Sequence, residues 1–291
     1  MQRGLDHIVH AVRDLDRAAT FYRQLGFTVG ARNCHPWGTH NHIVQLPGFF
    51  IEILGVGEPE LIGCDPAYSE LSQHFGAFNR DAIARGEGFS MLILESRDIA
   101  ADLDSFTKAD IAASGEVQFS RTGQRPDGMP VTVGFSLVFG RDGRSPRTGF
   151  AVCRQHNPDA FWSTQFQQHA NGAVRVNGVV LAADNPTDHH IFLTAFTGER
   201  ALHSTSLGLS AHTPRGDVEI MEPVSIRDQF GIVPEIQGES LMLTALRIAV
   251  RSIDETEAVL RGSGIVFEHR LNALVIGPAQ ALGATLVFEQ A

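Results

Sequence analysis

The chain is poor in lysine and cysteine, and each shortage argues against a class of protein. Lys108 is the only lysine, and acidic residues outnumber basic ones to give a formal net charge of -10. Because the arginines are scattered rather than clustered, we expect neither a nucleic acid nor a membrane as a partner. The cysteines have unrelated spacings, which indicate neither a disulfide framework nor a zinc knuckle: Cys34, Cys64 and Cys153.

Long apolar runs and targeting signals are also missing. No stretch approaches the roughly 20 apolar residues of a membrane-spanning helix, and the first residues lack the basic stretch and apolar core of a secretory signal. We therefore expect a cytoplasmic protein. The sequence also contains no P-loop glycine pattern, no G-x-S-x-G elbow and no H-E-x-x-H pair, which argues against the chemistry of those motifs.

The first sixty residues do contain the pattern of a βαβββ unit. An apolar strand, LDHIVHAV, precedes an amphipathic helix, RDLDRAATFYRQLG, for which Asp14 is the expected N-cap and Gly26 the end. Three strands are predicted to follow: FTVGA, THNHIVQL and FFIEILGV. The last two are separated by a two-residue turn, Pro47-Gly48.

This unit is repeated along the chain. AVRSIDETEAVLRGSGIVF, from Ala249, matches AVRDLDRAATFYRQLGFTV, from Ala11, and two looser copies lie between them, the first with a polar insertion at 121–128. A single curved sheet cannot close a cavity, so the units are expected to pair. We predict an α+β fold of four tandem βαβββ units, paired into two curved-sheet or open-barrel domains with outer helices, at residues 1–157 and 175–291.

A tandem of βαβββ units that opens on Asp-His-Ile resembles the vicinal oxygen chelate superfamily, which includes glyoxalase I, bleomycin-resistance proteins and extradiol dioxygenases. LDHIVHAV, HPWGTHNHIVQL and FFIEIL most resemble its glyoxalase-like domains. The resemblance implies that the opening-strand histidine and closing-strand glutamate of one unit, here His7 and Glu52, bind a divalent metal in a cavity. Imidazole and carboxylate ligands suit Zn, Fe, Mn or Ni.

The strand pattern leaves two interpretations of the histidines open. Side chains alternate between the faces of a strand, so His7 belongs to the face that lines the cavity in the superfamily, whereas His10 is predicted to be a core or edge histidine. His7 is either a metal ligand or a packed strand residue. Glu52 is the more informative residue, because a carboxylate in an apolar strand is costly unless it is paired, hydrogen-bonded or bound to a metal.

Two protein ligands are too few for a metal site, and the third strand offers further histidines. His40 and His42 share one face of that strand, and Asn41 lies on the other. If either histidine faces the cavity, it completes a two-histidine, one-carboxylate site with His7 and Glu52. The alternative is that both are solvated residues of a hairpin.

The other units lack this combination. The positions that correspond to His7 hold approximately Met91, Gly178 and Ala245. The carboxylates Glu219 and Glu289 have no histidine partner, and we interpret them as exposed residues near a sheet edge. Any metal is therefore expected in the N-terminal half.

Two functions from different classes follow from these observations. The first, which the resemblance implies, is a divalent-metal-dependent glyoxalase-like enzyme, of lyase or isomerase type, in which a small oxygenated substrate is chelated in the N-terminal cavity. The resemblance to glyoxalase I allows Glu52 to act as the catalytic base if it leaves the metal during turnover. The second is a metal-free protein that binds or sequesters a small molecule in the same cavity. An extradiol dioxygenase is less favoured. The expected partner is a small-molecule ligand, and the sequence leaves a homodimer open.

Overall fold

The structure is a computed structural model that describes residues 2–124, 128–236, 238 and 240–291. Residues 125–127 of the predicted insertion at 121–128 lie outside the described residues. The first half of the chain forms these strands and helices: β1 (Leu5–Ala11), α1 (Leu15–Gln24), β2 (Asn33–Cys34), β3 (Thr39–Leu46), β4 (Phe49–Val56), α2 (Ser69–Leu71), a π-helical segment (Ser72–Ala77), α3 (Phe78–Arg85), β5 (Gly88–Glu95), α4 (Ile99–Lys108), β6 (Ala112–Gln124), β7 (Pro130–Gly140), β8 (Gly149–Gln155) and α5 (Pro158–Phe161).

The second half repeats this order with shorter connections. Its elements are β9 (Ala173–Ala182), α6 (His190–Thr197), β10 (His203–Thr205), β11 (Gly208–His212), β12 (Asp217–Met221), α7 (Pro223–Phe230), β13 (Met242–Val250), α8 (Ile253–Gly262), β14 (Glu268–Arg270), β15 (Ala273–Ile276) and β16 (Thr285–Gln290). Short 3₁₀ helices lie at Pro59–Leu61, Pro66–Tyr68 and Pro186–His189.

The strands form two eight-stranded mixed sheets with the same topology. Their orders are β2-β3-β4-β1-β5-β8-β7-β6 and β10-β11-β12-β9-β13-β16-β15-β14. In each sheet two βαβββ units meet through their antiparallel opening strands, β1 with β5 and β9 with β13. The predicted fold of four paired units is therefore confirmed.

The helices begin and end for the reasons that the sequence suggests. The Asp14 side chain accepts a hydrogen bond from the Arg17 amide at 2.9 Å and caps α1, and Gly26 takes a positive φ of 84° after the helix. In the fourth unit Ser252 caps α8 and Gly264 has a φ of 71°. Both equivalences have the same offset of 238 residues, which confirms the internal repeat.

One predicted strand does not form. The segment FTVGA, residues 27–31, has no strand structure; Gly30 makes one backbone hydrogen bond to Ile43 of β3, at 2.9 Å, and strand pairing on this side of β3 is limited to Asn33–Cys34. Phe27 packs between Tyr22 and Phe288, and the Thr28 amide donates to His169 Nδ1 at 3.0 Å. The segment is therefore used to join the two halves rather than to extend the sheet.

The two halves share one hydrophobic core. The face of each sheet that carries the helices contributes to a single buried cluster, in which Phe106 contacts Phe196 and Phe27 contacts Phe288. The opposite, concave faces carry separate clusters. His10 lies in the shared core, fully buried, between the Tyr22 hydroxyl and the Leu282 carbonyl, as expected for a core histidine. The division into domains at 1–157 and 175–291 stays a proposal.

Candidate functional site

The concave face of the first sheet brings His7 and Glu52 together. Their strands, β1 and β4, are parallel neighbours in which Val9 lies opposite Glu52, so His7 lies one pair away on the same face. His7 Nε2 is 3.8 Å from Glu52 Oε2, and the exposed fraction of each residue is 4%. The structure thus places the two residues that the superfamily resemblance singled out beside one cavity.

The ring of His7 is held from two sides. Its Nδ1 atom lies 2.6 Å from Asp6 Oδ1, and its plane stacks on Phe50 with the ring centroids 4.2 Å apart. Because a carboxylate accepts, Nδ1 carries a proton, and this contact turns Nε2 toward Glu52. A carboxylate behind a histidine that orients it in this way is typical of metal sites.

Glu52 is surrounded by groups with opposing effects on its charge. Burial raises the pKa of the Glu52 carboxyl, while His7, the Asn41 side chain and the Arg121 guanidinium each act to lower it. The Asn41 amide donates directly to Oε1. Glu52 is therefore a buried carboxyl with a raised proton affinity and a fixed orientation, two properties that a general base requires.

A histidine that the sequence analysis did not select completes this group. His35 Nε2 lies 3.8 Å from Glu52 Oε1, and His35 Nδ1 lies 2.8 Å from the Thr39 hydroxyl. The ring stacks on Trp37 with centroids 4.6 Å apart. Burial, assisted by Arg121, lowers the pKa of His35 to about 3, so the imidazole is neutral. In the sequence, only the fixed Pro-Trp-Gly turn after His35 marks it.

His40 and His42 do not reach the cavity. His40 Nε2 lies 3.1 Å from Glu58 Oε2, and His42 Nδ1 lies 2.8 Å from the Gly30 carbonyl oxygen. In the β3–β4 hairpin Ile43 lies opposite Glu52, so the odd-numbered residues of β3 share the face of Glu52 and the even-numbered histidines point the other way. This corrects the sequence-based choice of a third ligand.

The cavity itself is small and mostly aromatic. Its volume is about 40 Å³, measured as the space that the centre of a water molecule can occupy. A cavity of this size holds roughly three waters. Phe119 and Arg121 of β6 line it on one side. Leu71, the last residue of α2, and Phe75, in the π-helical segment, also line it. Cys153 also lines it, and burial raises the pKa of that thiol, as expected for a cysteine that acts as a small apolar residue.

A wider pocket adjoins this inner cavity. Its volume is about 550 Å³ on the same measure, and Ile43, Arg121 and Phe161 line both spaces. The outer pocket also has apolar walls, including Val131 and Val133. The two spaces together form a narrow inner chamber with charged groups and a wider, partly apolar entrance.

A family profile described as a glyoxalase-like domain matches residues 5–197, more than half of the 291 residues. The chain belongs to the glyoxalase-like domain family. The matched range contains the complete first sheet and therefore the inner cavity. No curated protein sequence is significantly similar to this glyoxalase-like protein.

Solved structures with the same fold cover the whole chain. A hypothetical protein from Staphylococcus aureus has a TM-score of 0.67 at 14% identity, covering 99% of this chain and 100% of that one. A mutant of 4-hydroxymandelate synthase from Streptomyces coelicolor has a TM-score of 0.62 at 10% identity, covering 99% and 92%. A fusion of a xylose isomerase-like TIM barrel with 4-hydroxyphenylpyruvate dioxygenase has a TM-score of 0.55 at 11% identity, covering 100% and 49%. At these identities the likeness is one of fold, and it agrees with the vicinal oxygen chelate architecture.

The inner cavity of this glyoxalase-like domain has the donor chemistry of a divalent-metal site. In the described ranges, no group of three or more His, Cys, Asp or Glu side chains is gathered tightly enough to hold a metal ion as it stands. Ligand atoms lie about 2.0–2.2 Å from zinc, so two donors on one ion are at most about 4 Å apart. The two 3.8 Å separations between imidazole and carboxylate lie just inside that limit. His7, His35 and Glu52 therefore supply donor atoms of the kind that suits a divalent metal, but they are not gathered into a ligand group as they stand.

The C-terminal half of this glyoxalase-like protein has a different arrangement. His7 lies seven residues before Asp14, the N-cap of the first helix. The helices of the other three units have their N-caps at Asp98, Asn185 and Ser252. Counting back seven residues from these caps gives the positions that correspond to His7, which hold Met91, Gly178 and Ala245. The predicted absence of further opening-strand histidines is thus supported by the helix geometry.

An arginine occupies the concave face of the second sheet. Arg247 on β13 pairs with Glu219 on β12 and, at 2.9 Å, with Glu289 on β16. Both carboxylates are partly buried and lie on strands next to the central pair, which corrects their interpretation as exposed edge residues. The rest of this face is covered by Ile226 and Phe230 of α7.

Within the part of the chain that the structure describes, no helix is both long and apolar enough to cross a lipid bilayer.

Proposed function

We propose that this protein is a glyoxalase-like enzyme, of lyase or isomerase type, that acts on a small oxygenated molecule in the N-terminal cavity with a divalent metal held by His7, His35 and Glu52. The supporting observation is the orientation of the two imidazoles. Each has its outer nitrogen beside a polar side chain, Asp6 or Thr39, and its Nε2 atom 3.8 Å from a different oxygen of Glu52. Zn, Fe, Mn and Ni all accept such a set.

The residues of the chain have separate roles in this proposal. When bound, the metal polarises substrate oxygens and stabilises negative charge that develops on them. Glu52 is also the catalytic base: when its carboxylate leaves the metal during turnover, one oxygen takes a proton from the substrate. Asn41 holds the carboxylate by donating to Oε1. The aromatic walls exclude water from the reacting group.

Metal analysis of protein purified without a His tag tests the proposal. We expect stoichiometric divalent metal in the wild type and its loss in His7→Ala and Glu52→Gln, because each variant removes one ligand. The fold should survive both changes, since neither creates a large apolar cavity. Far-UV circular dichroism checks this.

His40→Ala is the matched control. It removes an imidazole from the same half of the protein, but one that pairs with Glu58 outside the cavity. We expect this variant to keep the wild-type metal content. Metal content unchanged in both the His7 and Glu52 variants would refute the proposed ligand set, and loss of folding in His7→Ala alone would support a purely structural role for that histidine.

A metal-free binding or sequestration protein is the second candidate. It is supported by the absence of a tightly gathered ligand group within the described residues and by the aromatic lining of the inner cavity. Wild-type protein that contains no metal and takes up none from Zn²⁺, Fe²⁺, Mn²⁺ or Ni²⁺ solutions would favour this function over the enzyme.

A further inference from the structure

Arg121 is the charged residue at the boundary between the inner cavity and the outer pocket. It is half-buried on β6 and lines both spaces. Its Nη1 atom donates to Asn33 Oδ1 at 2.6 Å, which is a neutral partner. Among the ion pairs of the described residues, none includes Arg121 within 4 Å, whereas the inward-facing Arg3 and Arg247 are both paired with carboxylates.

No carboxylate of the described residues lies within 4 Å of Arg121, although Glu52, which lines the same inner cavity, acts on its charge from farther away. A half-buried guanidinium without a directly paired carboxylate favours an anion beside it. Removing a charge from water is costly unless it is paired, and arginine matches a carboxylate with two parallel hydrogen bonds. Its charge acts on the site already, because it lowers the pKa of both Glu52 and His35. The inner cavity is small, with space for about three waters, which is room for a group as small as a carboxylate.

We infer that the substrate is a small organic carboxylate whose carboxylate group pairs with Arg121 at the mouth of the inner cavity, while its apolar body lies in the outer pocket. That this carboxylate is the substrate of a reaction rests on the proposed function, whereas its binding to Arg121 does not. The outer pocket is large enough for the body, and Val131, Val133 and Phe161 give it an apolar wall. Arg121 is therefore the residue that determines specificity for an acid over its neutral analogue.

Calorimetric titration with 3-phenylpropanoate and with its neutral amide, 3-phenylpropanamide, tests the inference. We expect the wild type to bind the acid, and to bind the amide at least tenfold more weakly. Arg121→Gln should weaken binding of the acid at least tenfold and leave the amide unchanged, and Arg121→Lys should restore part of the affinity because it keeps the charge.

Arg80→Gln is the matched control, since it removes the same charge from an exposed site on α3 that pairs with Asp81. It should bind the acid as the wild type does. Equal affinity for acid and amide, no binding of the acid, or an Arg121→Gln variant as tight as the wild type would each overturn the inference.

Metal content measured in the same samples separates this inference from the proposed function. Arg121-dependent binding of the acid in protein that takes up no metal would support the carboxylate site and refute the metalloenzyme. Bound metal together with binding of the acid that does not depend on Arg121 would do the reverse. Thermal unfolding of each variant verifies that it is folded before titration.

Discussion

Acidification should destabilise the protein through His10, a histidine in the core that joins the two halves. The imidazole is fully buried, with Nδ1 2.8 Å from the Tyr22 hydroxyl and Nε2 2.9 Å from the Leu282 carbonyl oxygen. The carbonyl can only accept, so Nε2 carries the proton and Nδ1 accepts from Tyr22. The neutral ring is thus fully satisfied, and burial lowers the pKa of His10 from 6.5 to about 4.

The size of the effect follows from this difference in pKa. In the unfolded chain His10 takes up a proton below about pH 6.5, whereas in the folded protein it does so only near pH 4. The stabilisation is therefore complete above pH 6.5 and is lost as the pH falls toward 4. Linkage gives a loss of about 2 kcal/mol in the free energy of unfolding between pH 7.5 and pH 5 from this residue.

Urea unfolding of the wild type and of His10→Gln at a series of pH values, with a chelator present, measures this contribution. Other buried histidines, such as His35 and His169, act in both proteins, so the difference between the two curves isolates His10. We expect the variant to be less stable at pH 7.5, because it loses buried hydrogen bonds, and to lose about 2 kcal/mol less on acidification.

Tyr22→Phe is the control for the hydrogen bond. It removes the donor to Nδ1 but keeps the imidazole, so most of the pH dependence should remain. If the curves of the wild type and His10→Gln run parallel from pH 7.5 to pH 5, His10 is not the neutral, buried group described here and the reasoning is refuted.

Two further predictions concern the C-terminal half. Arg247→Gln leaves the carboxylates of Glu219 and Glu289 without the cation between them. For such partly exposed pairs we expect the free energy of unfolding, measured with urea, to fall by about 2 kcal/mol. A fall of less than about 0.5 kcal/mol would contradict the pairing. Gly283→Ala places a Cβ atom 1.8 Å from the Glu87 carbonyl oxygen, at a residue whose φ is 81°. The Cβ atom of Gly277→Ala, the control, would meet open space. The melting temperature should therefore fall by more in Gly283→Ala than in Gly277→Ala. Equal melting temperatures would contradict this close approach.

The architecture could be predicted from the sequence because it is repeated. Helix N-caps, glycines after helices and apolar strands recur with the same spacing, and Asp14 and Ser252 have the same role in their units. His7 and Glu52 are selected through the superfamily resemblance, and Glu52 also because a carboxylate in an apolar strand is costly unless it is paired; their role as ligands stays a prediction. Their approach to 3.8 Å agrees with the positions that the superfamily resemblance implies.

The choice of His40 and His42 failed for a reason of register. Alternation shows that they share a face of β3 but not which face. The two-residue turn between Leu46 and Phe49 fixes the register of the hairpin, because it places those two residues opposite each other and hence Ile43 opposite Glu52. Ile43 therefore shares the face of Glu52, and His40 and His42 lie on the other face. The sequence pattern therefore carried enough information to orient this strand.

His35 and Arg247 could not have been assigned in the same way. His35 lies after a two-residue strand, and its approach to Glu52 depends on a turn and on stacking against Trp37. Arg247 meets carboxylates from two other strands, each more than 25 positions away in the chain. Both contacts depend on tertiary packing, which the pattern of apolar and polar residues within one strand does not predict.

A guanidinium differs from a bound metal ion because it is part of the chain. The cation between Glu219 and Glu289 is present as soon as Arg247 is synthesised, and it cannot dissociate, be chelated or be exchanged for another ion. The positive charge that balances these two carboxylates on the concave face of the second sheet is therefore supplied by the chain itself.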